Sequence, residues 1–190
     1  MKEFDKYDNN GAYHIDWFRT NKHGYRNHLN RILKEFTGCK AKSILDIGCG
    51  EGLLAKLLLK KGVTQKVFGI DTSKKAIELG KDLYENSCKT QRMDLKCQSY
   101  VSMNKRRKFD YIVCSEVIEH VDNPELFLRK MKNMIREWAI ITTPNSDHIT
   151  PGKYDKQLFN QAALKEVLQK IGASYEFLEV GETIVFKIIK

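Results

Sequence analysis

Two hydrophobic rhythms alternate along this chain. Short, dense apolar runs predict strands over 43–47, 66–70, 109–115 and 138–142, with a weaker run over 90–93. Between them, apolar residues recur at helical spacing. Leu29, Ile32, Leu33 and Phe36 form one such stripe, and Leu53, Leu54, Leu57 and Leu58 form a second. Ala76, Ile77, Gly80, Leu83 and Tyr84 form a third, and Phe127, Met131, Met134 and Ile135 a fourth. The spacing predicts helices over 25–36, 51–61, 73–85, 124–136 and 159–171. The punctuation agrees with it. Gly62 and Gly172 stand where a helix can end in a left-handed residue. Thr72 or Ser73 can cap the third helix, and Asp122 or Asn123 the fourth, with Pro124 in a first turn that needs no amide donor.

Strands alternating with helices are βαβ units, which build a mainly parallel sheet. Two last strands, 175–180 and 183–189, are joined only by Gly181-Glu182. A parallel crossover needs a dozen or more residues, so this pair must be antiparallel. The expected fold is therefore a doubly wound, Rossmann-like α/β sheet. It has seven strands, mainly parallel, with one antiparallel strand near the C-terminus. A length of 190 residues suits one such domain, over 41–190, preceded by an N-terminal helical cap over 1–40.

Charge then narrows the partners. Lys and Arg number 33 against 24 Asp and Glu, a net +9, which invites a phosphate-rich partner such as nucleic acid. Clustering matters more than the total, and the one tight basic run is Lys105-Arg106-Arg107-Lys108, just before strand 109–115. Ligands of open α/β sheets bind outside the carboxyl ends of the strands, so this run reads as a solvated loop on the other edge. A nucleic-acid partner is therefore possible but not favoured, and a monomer or homodimer is expected. The five cysteines are scattered without a CxxC pair, which gives no zinc or disulfide frame. They are expected to be reduced, mostly buried thiols of a cytoplasmic protein. The opening Met1-Lys2-Glu3-Phe4-Asp5 has no apolar signal stretch, and no run reaches the ~20 residues of a membrane span.

The chemistry concentrates where the first strand turns into the next helix, in Asp46-Ile47-Gly48-Cys49-Gly50-Glu51-Gly52. Glycines there let the backbone turn sharply and approach a ligand. A dinucleotide fingerprint would place its third glycine at the position of Leu53, where it is absent. The carboxylate of Asp46 beside the loop suits a cation better than a pyrophosphate. With this motif the chain resembles the class I S-adenosylmethionine-dependent methyltransferases, in particular their small-molecule O-methyltransferase branch. The resemblance implies S-adenosylmethionine as methyl donor and S-adenosylhomocysteine as product. It implies a cofactor site of Asp46, Gly48, Cys49, Gly50, Asp71, Thr72, Asp94, Leu95 and Ser115. Asp71 would close the second strand and accept from both ribose hydroxyls. Asp94 would follow the third strand and meet the adenine amino group, with the backbone of Leu95 against the ring.

A second motif, Ser115-Glu116-Val117-Ile118-Glu119-His120, follows the fourth strand. On a helix, Glu116, Glu119 and His120 would share a face. The string resembles two branches of the family. In small-RNA 2′-O-methyltransferases it holds a divalent metal together with a further downstream histidine. In ubiquinone-biosynthesis O-methyltransferases it shapes the methyl-transfer pocket without a general metal requirement. The stretch 146–157 holds only His148, so no metal is expected, and Glu116, His120 and His148 are the candidate catalytic groups. The expected reaction is methyl transfer to an oxygen or nitrogen of a small molecule, which needs near-attack positioning and, for a hydroxyl, a base. Two alternatives stay open: a metal-dependent methyltransferase of RNA 3′ ends, and a non-catalytic cofactor-binding accessory protein. The aromatic segment around Tyr13, His14, Trp17 and Phe18 is expected to act as a lid that excludes water.

Overall fold

The computed structural model describes residues 6–90, 92–152 and 154–190. The opening residues through Asp5, including Phe4 of the expected lid, lie outside them. The chain forms two compact units, one reaching to Met103 and one from Asn104 to Lys190. Seven strands make a mainly parallel sheet in which β7 (Thr183–Ile189) alone runs against its neighbours.

The first unit opens with three helices, α1 (Lys6–Asn10), α2 (Tyr13–Thr20) and α3 (Tyr25–Glu35). A parallel three-stranded array follows, β1 (Ile44–Ile47), β2 (Val67–Asp71) and β3 (Met93–Cys97), with β2 in the middle. Helices α4 (Leu53–Lys60), α5 (Lys74–Leu83) and α6 (Glu85–Lys89) connect the strands. All four residues of β1 are buried, as a dense apolar run between two helical layers must be. Leu29, Ile32 and Phe36 from the α3 stripe are buried, as are Leu54, Leu58, Ala76 and Ile77 from α4 and α5. Ser73 is the residue that caps α5, its Oγ accepting from the Ala76 N–H at 3.2 Å.

In the second unit β4 (Phe109–Ser115) pairs in parallel with β5 (Ile135–Pro144). Next, β7 pairs antiparallel with β5 on one side and with β6 (Ser174–Val180) on the other. Helices α7 (Pro124–Met134) and α8 (Gln161–Lys170) start on side-chain caps. Asn123 accepts from the Leu126 N–H at 2.8 Å, and Asn160 from the Ala163 N–H at 2.9 Å. The basic run 105–108 sits in the turn before β4, at that strand's amino end, as expected.

Several element boundaries differ from the expectation. The third strand is Met93–Cys97 rather than 90–93. It pairs on one side with β2, and its residues alternate, Met93 and Leu95 inward, Asp94 and Lys96 less buried. So polar a pattern reads poorly as a strand until the partner is known. The helix expected over 73–85 ends at Leu83, and the separate α6 follows. The fifth strand begins directly after α7 at Ile135, because Met134 closes that helix. Among the cysteines, Cys49 and Cys114 are buried, Cys39 and Cys88 are half-buried, and Cys97 is exposed, so fewer are inside than expected.

Candidate functional site

The first unit gathers its chemistry at the turn between β1 and α4. The N–H groups of Gly48 and Cys49 both donate to the Ile70 carbonyl, at 2.8 and 3.1 Å, which ties the loop to the end of β2. Gly50 donates its N–H to Asp71 Oδ2 at 2.9 Å, and Ser73 donates to Asp71 Oδ1 at 2.8 Å. The 21-residue spacing between the loop and the acid at the end of β2 is thus a direct contact. Burial raises the Asp71 carboxyl, and these backbone donors oppose the rise. Helix α5 closes on the loop through Gly80, where a Cβ would stand 2.5 Å from the Glu51 carbonyl oxygen.

Three carboxylates converge here, Asp46, Glu51 and Asp71. Asp46 is buried, and its pKa is pushed up to about 7 by burial and by the nearby Asp71 charge. Its Oδ2, and Oε1 of Glu51, are buried acceptor atoms without a hydrogen-bond partner. Such atoms cost about 1–3 kcal/mol each when left unmet. A ligand bearing cationic or N–H groups satisfies them, whereas a pyrophosphate is repelled. That acceptor set fits the sulfonium and ammonium groups of S-adenosylmethionine.

Glu51 is the residue that sequence reasoning passed over. Its side chain is fully buried, and two groups of the N-terminal helices reach its Oε2. Tyr7 Oη donates at 2.9 Å, and His14 Nδ1 lies at 2.8 Å. The Tyr7 hydroxyl and His14 Nδ1 are themselves 3.0 Å apart. Burial pushes Glu51 up, but the bonds from His14 and Tyr7 overcome it and leave the carboxyl below its ordinary value. Tyr7 is pushed far upward by burial and by the Glu51 charge, so its phenol keeps its proton and donates. Around this latch Tyr13, Trp17 and Tyr25 pack ring against ring, with His14 stacked on Tyr25 at 5.1 Å. The cap requires Gly50, where a Cβ would come 2.2 Å from Tyr7 Oη.

Two expected cofactor residues are placed otherwise. Asp94 is the second residue of β3, level with Phe68, and not a residue following the strand. It pairs with Lys96 at 3.4 Å. Leu95 is buried, with its side chain packed close to Gly52, Gly69 and Gly80. The strand's carboxyl end is Cys97, level with Asp71, and Gln98 next to it donates its N–H to the Asp71 carbonyl at 2.8 Å. The alternation over 93–97 was the signal for this shift. Thr72 is exposed beside Asp71.

In the second unit the functional groups follow β4. Ser115 Oγ lies 3.1 Å from Thr142 Oγ1, which donates to Glu116 Oε1 at 2.9 Å. Glu116 has φ +54°, a left-handed backbone that costs a non-glycine residue about 1–3 kcal/mol and clusters at functional sites. Burial raises its carboxyl to about 7, with the Thr142 bond opposing and the Asp155 charge adding. Glu119 is buried and accepts from Thr143 Oγ1 at 3.0 Å. It is pushed well up by burial and by Glu116.

The shared helical face expected for Glu116, Glu119 and His120 does not form. Ile118–His120 is a single 3₁₀ turn, and Glu116 precedes it in the left-handed conformation. Thr142 and Thr143 are successive residues of β5, and each donates to one of the two glutamates. Among the described residues no three His, Cys, Asp or Glu side chains gather to hold a metal ion. His148 is exposed in the turn after β5, its backbone N–H on the Asn145 carbonyl at 3.0 Å. The side chain that meets His120 comes instead from Asp155, unnoticed in the sequence, with Oδ1 3.2 Å from Nδ1.

Similarity to known proteins agrees with this layout. A family profile described as "Methyltransferase domain" matches residues 17–176. The chain is 34% identical over 98 residues to a ubiquinone biosynthesis O-methyltransferase of Pelagibacter ubique (strain HTCC1062), covering 52% of this chain and 39% of that protein. A protein of the same description from Nitrosomonas europaea is 28% identical over 120 residues, 62% of this chain and 50% of that one. The chain thus spans half or less of the length of these relatives. Among solved structures, the methyltransferase domain of a bacterial Hen1 (CtHen1-CN) has a TM-score of 0.68 at 25% identity, over 86% of this chain and 97% of that one. Magnesium protoporphyrin IX methyltransferase from Synechocystis PCC 6803, solved with bound SAH, has a TM-score of 0.76 at 13% identity, over 98% and 97% of the two chains, and so shares the fold. With the profile spanning most of its length, the chain belongs to the class I S-adenosylmethionine-dependent methyltransferase family.

Proposed function

We propose that this chain transfers a methyl group to an oxygen of a small-molecule acceptor. The observation that carries this reading is the set of proton-accepting side chains after β4, where Glu116 is raised to about 7 and stands near His120 in sequence. An amine can attack a methyl group with its lone pair, but a hydroxyl must lose a proton, and these groups are suited to take it. The O-methyltransferase relatives from Pelagibacter ubique and Nitrosomonas europaea support the same acceptor chemistry.

S-adenosylmethionine, when bound, supplies a methyl group already activated on a sulfonium. In the first unit Asp46 and Glu51 turn their unmet oxygens to its cationic end. Gly48, Cys49 and Gly50 present backbone, Asp71 accepts from the ribose, and Thr72 borders it. Ser115 in the second unit stays a cofactor residue, while Glu116 and His120 serve the acceptor and His148 on the exposed turn contacts it. The N-terminal helices act as a lid, fastened by Tyr7 and His14. No described helix is long and apolar enough to cross a membrane, and five free thiols suit the reducing cytoplasm.

The test is a turnover assay that follows S-adenosylhomocysteine release against phenols, catechols, carboxylic acids, amines and short RNAs, with and without divalent metal. Methyl label recovered on the oxygen of a small acceptor, unaffected by chelator, is the expected result. Label found only on amines, or only on RNA 3′ ends with metal present, refutes the reading.

A further inference from the structure

The geometry points to Asp155 as a positioning residue that holds His120 with its proton on Nδ1 and stabilises the ring when Nε2 takes a second proton. This rests on the proposed O-methylation, in which His120 receives the proton of the acceptor hydroxyl.

Two of the atoms that face His120 Nδ1 are the Tyr154 carbonyl oxygen and Asp155 Oδ1, each at 3.2 Å. A backbone carbonyl can only accept, so Nδ1 carries the hydrogen. In a neutral imidazole the lone pair then belongs to Nε2. Asp155 is itself held, since its Oδ2 accepts the Gly152 N–H at 2.7 Å. The segment that carries it is fastened along the turn of His120. Lys156 and Gln157 donate their N–H groups to the Glu119 carbonyl at 2.9 and 3.3 Å. Gln157 Nε2 donates to the Val121 carbonyl at 2.7 Å, and Lys156 Nζ to Asp122. An isolated histidine carboxylate contact on a surface loop would have none of this support.

Other charges around the ring, among the described residues, are Glu119, with Oε1 3.9 Å from Nε2, Glu116, whose carboxyl senses Asp155, and the Lys156–Asp122 pair. Glu119 is held toward its neutral form by burial, and the Lys156 and Asp122 charges offset one another. Asp155 is therefore the carboxylate left to compensate an imidazolium. In the proposed step the acceptor O–H bond breaks and its proton forms a bond to Nε2. The ring becomes a cation beside Asp155, and the proton later leaves to solvent.

The experiment is a histidine-labelled NMR titration of the full chain, which has five histidines, with His120 assigned by its absence in His120→Gln. In the native chain the neutral His120 ring is expected to carry its proton on Nδ1. Asp155→Asn keeps the shape and an acceptor oxygen but removes the charge. It is expected to lower the proton affinity of His120 about tenfold, as loss of an adjacent opposite charge does, and to leave the other four histidines unmoved. A structural role alone would leave that titration in place. A neutral ring protonated on Nε2, or an affinity unchanged in Asp155→Asn, overturns the proposal. Because no acceptor is needed, an intact pair with no oxygen methylation in the turnover assay would instead count against the proposed function.

Discussion

At the scale of single residues, the site depends on places where one atom more does not fit. Gly50 combines a φ of +54° with an approach of 2.2 Å between a would-be Cβ and Tyr7 Oη. Gly50→Ala is expected to lose about 1–2 kcal/mol to the left-handed backbone alone. It should also drive Tyr7 off Glu51 and weaken cofactor binding. Calorimetric titration with S-adenosylhomocysteine checks this, and an unchanged affinity would contradict it. The motif around Gly50 was legible from spacing, because the need for glycine is local. The need for Tyr7 was not, since Tyr7 lies 44 residues from Glu51 and nothing in either neighbourhood mentions the other. Asp155 was missed for a similar reason: its partner is a histidine beyond a strand and a helix.

At the scale of elements, helices were the easier part. Each stripe expected between strands became a helix; α4, α5 and α8 start later than expected, at the glycine loop or after a cap, while α7 keeps its start and ends at Met134. Strand β3 was displaced because its polar residues carry no weight until β2 supplies the backbone partners. The N-terminal helices α1 and α2 hold few wholly buried residues, and their attachment is polar and aromatic. Hydrogen bonds to a charged partner contribute about 1.5–3 kcal/mol each. The double variant Tyr7→Phe with His14→Gln is therefore expected to release α1 and α2 while leaving β1 and β2 intact. Hydrogen exchange should then speed up over residues 6–20 and stay slow in the strands. If exchange over 6–20 is unaltered, the latch does not hold the cap.

At the scale of the whole molecule, buried carboxyls set the response to pH. Asp46 is raised from 3.8 to about 7 and Glu116 from 4.5 to about 7, both first by burial. The native chain then binds more protons than the unfolded chain between those values, so stability falls as pH rises through that window and levels off above about 7. Glu51, lowered, acts in the opposite sense and loses its contribution only as pH falls below the ordinary carboxyl range. Urea midpoints across pH should show the decline, and Asp46→Asn should flatten part of it. A stability that climbs from pH 4 to 7 in the cofactor-free chain would reverse the assignment. The net charge of +9 has a smaller part than it first suggested, because the one tight basic run stands at the amino end of β4. What the chain determined by itself was the alternation of strands and helices, the antiparallel final pair and the glycine turn with its acids. Each of these follows from spacing within a few residues, where periodicity, chirality and short loops leave little choice. Tertiary structure alone decided that Tyr7 and His14 close on Glu51, that two threonines hold Glu116 and Glu119, and that Asp155 meets His120. Those contacts join distant segments, and they arise because polar groups taken out of water must find partners wherever the packed backbone brings them.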